Sequence, residues 1–293
     1  MTNKHGEGGA MATIKPTLII EDCSALGQIS TVAAVTILQS FGETTALLPT
    51  SLLSTQTEGF GQPAQLSTAP WLTQASLHWR KQGINFANAL VGYIGSAQLI
   101  KQVDRLLVTL QPRQLVIDPV MGDQGSLYPG LPSTYPQLLQ PLCRRATVIT
   151  PNWTELCQLA GQPVVEPTTD HLLGLVNQLR EQEITAQIVV TGVKQGAQIG
   201  CWVVGDHRPV YLPVKYFPGH YYGTGDTFAA LLTGFLNQQV DLRLAATKAT
   251  AALTVAVAET SQLPVAERRY GLRLKNLLAT LAKGVEQWKS KQE

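Results

Sequence analysis

One pattern recurs along the chain and restricts its fold more than any other. A short aliphatic, β-branched run stops at an acid, an asparagine or a threonine, and residues at helical spacing follow. Thr17 to Ile20 runs into Glu21 and Asp22, and Ile29, Val32, Val35 and Leu38 then repeat with a helical period. Phe86 to Gly95 reaches Tyr93 between two glycines, and a helix is expected from Ala97 to Leu110. Gln114 to Ile117 stops at Asp118, with Asp123 five residues on. Thr147 to Thr150 breaks at Pro151, placing Asn152 and Glu155 at the head of a helix, and Gln187 to Val190 runs into Thr191 and Lys194. Strands alternating with helices predict an α/β fold: a central, mostly parallel sheet with helices on both faces. Polar residues at the carboxyl ends of such strands line a crevice. Asp22, Asp118, Asp123, Asn152, Glu155, Thr191 and Asp226 are therefore expected to share one cleft.

The run Pro218 to Phe228 joins a strand-like segment, Val210 to Phe217, to a helix marked by Phe228, Leu231, Leu232 and Phe235. Gly223 and Gly225 let the backbone bend tightly and present N–H groups at the helix start, where the dipole favours negative charge. A phosphate fits such a turn, yet Asp226 would repel it unless the carboxylate handles a proton or faces a metal. Asp226 as a plain capping residue is the alternative. The same holds for Asp22 as a loop acid, Asn152 as an N-cap, Asp118 and Asp123 as paired loop acids, and Tyr93 as a core aromatic.

Thr44 to Pro49 reads as a further strand and Trp71 to Lys81 as a helix. Leu52 to Gly61 is too polar for a core element and reads as an exposed flap or edge hairpin. Residues 168 to 182 are expected to be helical. Ile199 to Val204 and Val210 to Phe217 are expected to pair antiparallel across the turn 205–209. Helices near 242–259 and 268–290 close the chain. Residues 1–12 read as a disordered leader or expression remnant, and 13–293 as a single domain.

At 293 residues, with 44% hydrophobic and 14% charged residues, the chain can bury a large core. A net charge of +2 without a basic run lacks the electrostatic footprint of a nucleic-acid partner. No run approaches the roughly 18 apolar residues of a membrane span. Cys23, Cys143, Cys157 and Cys201 lie far apart in apolar surroundings, which disfavours zinc and predicts free thiols in a reducing cytoplasm.

The runs Asp118-Pro-Val-Met-Gly-Asp123, Thr150-Pro-Asn-Trp-Thr-Glu155 and Gly223-Thr-Gly-Asp226, in this order, resemble the vitamin-kinase branch of the ribokinase-like superfamily, most closely the pyridoxal kinases. The match covers residues 17 to 260. It implies a ribokinase-like fold with an antiparallel edge and a small flap over the substrate. The activity implied is transfer of the ATP γ-phosphoryl group to the 5′-hydroxymethyl of a vitamin B6 vitamer, with Mg2+, in some members a monovalent cation (K+ or Na+), and commonly in a homodimer. By position, Asp226 would be the base and the amides of Gly223, Thr224 and Gly225 the anion hole. Asp118, Asp123 and Glu155 would organise magnesium, and Asn152, Thr191, Tyr128, Lys194 and the same two aspartates would meet ATP. Asp22, Ile29, Thr57 and Tyr93 would hold the pyridine ring.

Two features depart from that pattern. An acid stands at Asp22 where many members carry serine, and the glycine-rich first loop is reduced to Gly27. Hydroxymethylpyrimidine kinases of the same superfamily share Asp-Pro-Val-Met, although Asp123 and Asp226 favour the pyridoxal side. A non-catalytic vitamer-binding protein of this fold is the remaining alternative.

Overall fold

The computed structural model describes residues 15–205 and 208–289, with side chains to 283. The leader 1–12 and two residues of the turn 205–209, Asp206 and His207, lie outside the described residues. In chain order the strands are β1 (Thr17–Ile20), β2 (Cys23–Ser24), β3 (Thr45–Leu47), β4 (Ser51–Leu53), β5 (Gln65–Ser67), β6 (Asn88–Val91), β7 (Gln114–Ile117), β8 (Gly122–Asp123), β9 (Ser126–Leu127), β10 (Val148–Ile149), β11 (Gln187–Gln195), β12 (Gln198–Val204) and β13 (Val210–Lys215). The helices are α1 (Thr31–Ser40), α2 (Ala69–Lys81), α3 (Ala97–Leu110), α4 (Tyr135–Arg145), α5 (Trp153–Leu159), α6 (Thr169–Glu181), α7 (Thr224–Asn237), α8 (Leu242–Ser261) and α9 (Lys275–Lys289), with a 3-10 turn at Val265–Tyr270.

The main sheet runs β13-β12-β11-β10-β7-β6-β1-β3. Pairing is parallel from β3 to β11, and β12 is antiparallel to both β11 and β13. Because strand side chains alternate, Leu18, Ile20, Leu115, Ile117, Ile188 and Val190 pack with α2 to α6 on one face. Their neighbours Ile19, Val116 and Val189 pack with α1, α7, α8 and α9 on the other. The expected two-faced parallel sheet with an antiparallel edge is thus the fold. A second sheet, β2-β4-β5, forms the flap.

One local expectation changes, and two elements are added. The C-terminal stretch 268–290 is not one helix: Pro264 opens the 3-10 turn, and Gly271 at φ 91° breaks the chain where it crosses the carbonyl of Gln28. The helix α4 escaped notice because Pro136 and Pro141 interrupt its pattern; the first sits where the helix start leaves N–H groups unpaired. The hairpin β8-β9 is too short to leave a periodic signal. No helix among the described residues is long and apolar enough to cross a membrane.

Candidate active site

The strand β13 leads through Pro218 to Tyr222 into α7. Gly223 caps this helix at φ 76°, ψ 17°, and a Cβ there would lie 3.3 Å from Ile29 Cγ1. Both the left-handed backbone and the contact call for glycine. The first intrahelical bond runs from Thr227 N–H to the Gly223 carbonyl, so the amides of Thr224, Gly225 and Asp226 precede the helical ladder. Three donors and the positive end of the dipole meet at this turn.

Asp226 stands in the first turn of α7. Its Oδ2 accepts from the Ser30 amide at 2.7 Å and from Ser30 Oγ at 3.4 Å. Ser30 caps α1 at φ 48°, ψ −129°, a conformation rare outside glycine that costs on the order of 1–3 kcal/mol. That twist aims its amide at Asp226. Burial raises the Asp226 pKa, and the Ser30 hydrogen bonds oppose the rise. A place at a helix start favours an ionised carboxylate; the surrounding protein adds a desolvation that works against this.

Other acids crowd the same point from the strand ends. Asp118, just past β7, takes a hydrogen bond from Thr150 Oγ1 on Oδ1, and its Oδ2 lies 3.5 Å from where a Cβ on Gly225 would sit. Burial, and then the charge of Asp226, pushes Asp118 up to about 7. Asp22, past β1, is 5% exposed, and the same two causes in the same order push it up to about 7. Glu21 behind it is 2% exposed, and its Oε1 has no hydrogen-bond partner among the described residues. Burial first, then Asp226, Asp22 and Asp118, holds its pKa well above the usual range.

Glu155, expected among the acids that organise magnesium, has both carboxylate oxygens engaged by the backbone. Its Oε1 accepts from Met121 N–H and its Oε2 from Asn152 N–H, while Asn152 Oδ1 accepts from Glu155 N–H. The pair forms the capping box of α5, with Asn152 as its N-cap. Asn152 also donates Nδ2–H to the Gly122 carbonyl, tying β8 to α5. Asp123 is exposed on β8, where its Oδ1 accepts from Gln124 N–H. Among the described residues no group of three Asp, Glu, His or Cys is arranged to hold a metal directly.

One cavity of about 1450 Å³ runs along the carboxyl ends of the strands. Asp22, Ile29, Thr57, Tyr93, Asp118, Asp123, Tyr128, Asn152, Glu155, Thr191 and Gly223 to Asp226 all line it, as the sequence predicts. Lys194 does not: its Nζ sits 4.4 Å from the centre of the Tyr216 ring, a cation–π contact on the outer part of β11. The sheet order gives the cavity two ends. Near β1 and the flap it is walled by Asp22, Thr57 and Tyr93. Near β12 and α8 it is walled by Ile199, Cys201, Val214, Leu253 and Val257, an apolar slot of the kind a flat heterocycle occupies. The amide turn of α7 stands between them. Ser30, Thr150 and the buried Gln56 were missed. Their roles depend on backbone twist and on contacts between segments remote in sequence, and only the serine ahead of a helix leaves a trace, that of an ordinary cap.

A donor turn and a carboxylate at the middle of such a crevice, with a β flap beside it, define a small-molecule kinase of the ribokinase-like superfamily. The sequence pattern of the phosphomethylpyrimidine kinase family matches residues 33–269, and the chain belongs to that family. A Caenorhabditis elegans protein provisionally named a pyridoxal kinase is 33% identical over 166 residues, 53% of this chain and 50% of the relative, so the chain spans about half that relative's length. The solved pyridoxal kinase from Lactobacillus plantarum superposes with a TM-score of 0.86 at 37% identity, covering 94% of this chain and 99% of the other. A Bacteroides thetaiotaomicron protein provisionally named a phosphomethylpyrimidine kinase, solved with pyridoxal, gives 0.83 at 28% identity, covering 92% and 96%.

Proposed function

We propose that this protein transfers the γ-phosphoryl group of ATP to the 5′-hydroxymethyl of pyridoxal and related B6 vitamers. The observation that carries the reading is the position of Asp226. It stands beside the donor turn of α7, in the cavity that Tyr93 and Asp22 wall toward β1 and the apolar slot beside α8 walls at the other end. The names of the L. plantarum and B. thetaiotaomicron structures support the choice of acceptor.

In this reading the vitamer ring lies against Tyr93 under Thr57, with its hydroxymethyl toward Asp226. The hydroxyl oxygen forms a bond to the γ-phosphorus as the bond to the β-bridging oxygen breaks, and ADP leaves. Asp226 takes the hydroxyl proton, late, because the transition state is loose and alignment does most of the work. The Thr224 and Gly225 amides face the charge that spreads over the phosphoryl oxygens. Asn152, Thr191 and Tyr128 flank the path of the polyphosphate. A nucleotide-borne magnesium ion, which supplies charge neutralisation when bound, suits this site through water, since Mg2+ keeps much of its hydration shell and needs one or two carboxylates. Asp118, with Oδ2 turned toward Gly225, is the residue to hold it, and Asp123 the outer partner. The free thiols fit a cytoplasmic enzyme.

The test is to mix protein, magnesium ATP and pyridoxal and follow the absorbance of the phosphorylated aldehyde. Product formation supports the assignment; its absence across vitamers and metals returns the protein to a binding role. The family description, phosphomethylpyrimidine kinase, supports the second reading, a hydroxymethylpyrimidine (phosphate) kinase. A higher kcat/KM for hydroxymethylpyrimidine than for any vitamer would put it first.

A further inference from the structure

The flap has little of its own to hold it in place. Between β4 and β5, residues 54–64 are mostly polar, and their base is closed by Ser54 N–H to the Ala64 carbonyl and Ala64 N–H to Ser54 Oγ. A segment of that kind opens at small cost. Its tip is fastened instead to a remote part of the chain. Gln56 is 7% exposed, donates Nε2–H to the Arg269 carbonyl at 3.1 Å and accepts the Glu58 amide on Oε1 at 2.8 Å. Arg269 returns a bond from its NH1 to the Gly59 carbonyl at 3.0 Å and lays its guanidinium 4.4 Å from the centre of the Phe60 ring. Phe60 in turn meets Tyr270 edge to face, with centroids 5.3 Å apart.

The 3-10 turn that carries Arg269 is itself anchored. Arg268 donates to the carbonyls of Leu263 and Ser261 at the end of α8 and stacks 5.0 Å from the Tyr221 ring. The Tyr270 carbonyl accepts from Gln28 N–H at 2.8 Å, two residues before Ser30, whose amide holds Asp226. One short turn therefore touches the flap, the loop that orients the carboxylate, and the segment entering the anion turn.

We infer that Arg269 is a positioning residue for acceptor binding, a latch that holds the flap tip down so that Thr57 and Glu58 complete the wall of the vitamer pocket. The inference rests on the kinase reading for the identity of the acceptor. The latch itself is a statement about the flap. Arginine suits the task because its planar group stacks on Phe60 while an edge N–H meets a carbonyl, a combination lysine does not offer.

Hydrogen–deuterium exchange and kinetics on the full-length protein test this together. In Arg269→Ala, amides of 54–64 are expected to exchange about tenfold faster than in the parent. The KM for pyridoxal should rise about tenfold, while the KM for ATP and Tm stay near the parent values, with Arg269→Lys in between. Unchanged exchange and unchanged pyridoxal KM would overturn the latch, as would equal losses for both substrates together with a lower Tm. If the parent phosphorylates no vitamer, the kinase reading fails, and the exchange data alone then decide the latch.

Should Arg269→Ala fail to fold, a glycine pair serves. Gly59 and Gly61 have φ of 78° and 77°, so alanine strains both alike. Only at Gly59 would the new Cβ meet Arg269 Cβ, at 3.3 Å, and Tyr222 OH, at 3.4 Å; at Gly61 it meets nothing within 4 Å. Faster flap exchange in Gly59→Ala than in Gly61→Ala supports the latch, and equal exchange refutes it.

Discussion

The backbone amide of Ser30 reaches 2.7 Å from Asp226 Oδ2 across 196 positions of sequence, joining the first loop of the sheet to the start of α7. This bond ties one oxygen of a cavity-lining carboxylate to the loop ahead of α1. Asp226→Asn keeps an oxygen for the Ser30 amide but loses the basic site. Its kcat is expected to fall about 10²- to 10⁴-fold with ATP affinity retained, which single-turnover kinetics and nucleotide titration would show. Turnover within a few-fold of the parent would assign the proton to another group.

Asp22 links the site to stability. Its folded pKa, pushed up to about 7, lies above the value of 3.8 for the free side chain. The folded state thus binds the proton more tightly, and the stability this lends is complete below about pH 4 and is lost as pH rises through about 7. Asp22→Asn removes that loss. The variant should be the more stable at pH 8, by up to about 4 kcal/mol, with the advantage shrinking toward pH 4. Urea unfolding at several pH values, without ligands, measures it; parallel curves for the two proteins would contradict the assignment.

Glu155 separates a structural role from metal binding. Its two oxygens pair the buried amides of Met121 and Asn152, and truncation leaves both unpaired. Glu155→Ala is expected to lose about 2–4 kcal/mol of stability, whereas Glu155→Gln, which keeps one acceptor, should lose less. The magnesium concentration for half-maximal activity in Glu155→Gln should stay within about twofold of the parent, since no step passes through this carboxylate. A tenfold rise would restore Glu155 to the metal site.

The sheet, its strand-end acids and the anion turn were legible because each is written locally. Alternating aliphatic residues mark β1, β7 and β11, an acid or asparagine follows, and glycines announce the turn before α7. What was hidden is written between segments. Nothing near Ser30 in sequence signals that its amide turns toward Asp226, and nothing near Lys194 signals that its ammonium group settles over the Tyr216 ring. Glu155 was legible as a helix-start acid, but its capping-box role was not, because a capping box and an acidic ligand set use the same residue type in the same place. Gly271 and Pro264 did mark the break ahead of α9, but the apolar spacing on either side outweighed them.

Thr57 tests whether the flap is part of the acceptor pocket. It is exposed and lines the cavity on the side of Tyr93 and Asp22, away from the apolar slot beside α8. A hydroxyl there can serve the vitamer ring but is remote from the nucleotide base. Thr57→Ala removes it without disturbing the Gln56 and Arg269 bonds that hold the tip. The loss of one hydrogen bond to the vitamer predicts a three- to tenfold rise in the KM for pyridoxal, roughly 0.5–1.5 kcal/mol, with the KM for ATP changed less than twofold. Steady-state kinetics with each substrate varied in turn decides the matter. The reverse split, with ATP affected and pyridoxal spared, would move Thr57 out of the vitamer pocket and place the flap over the nucleotide.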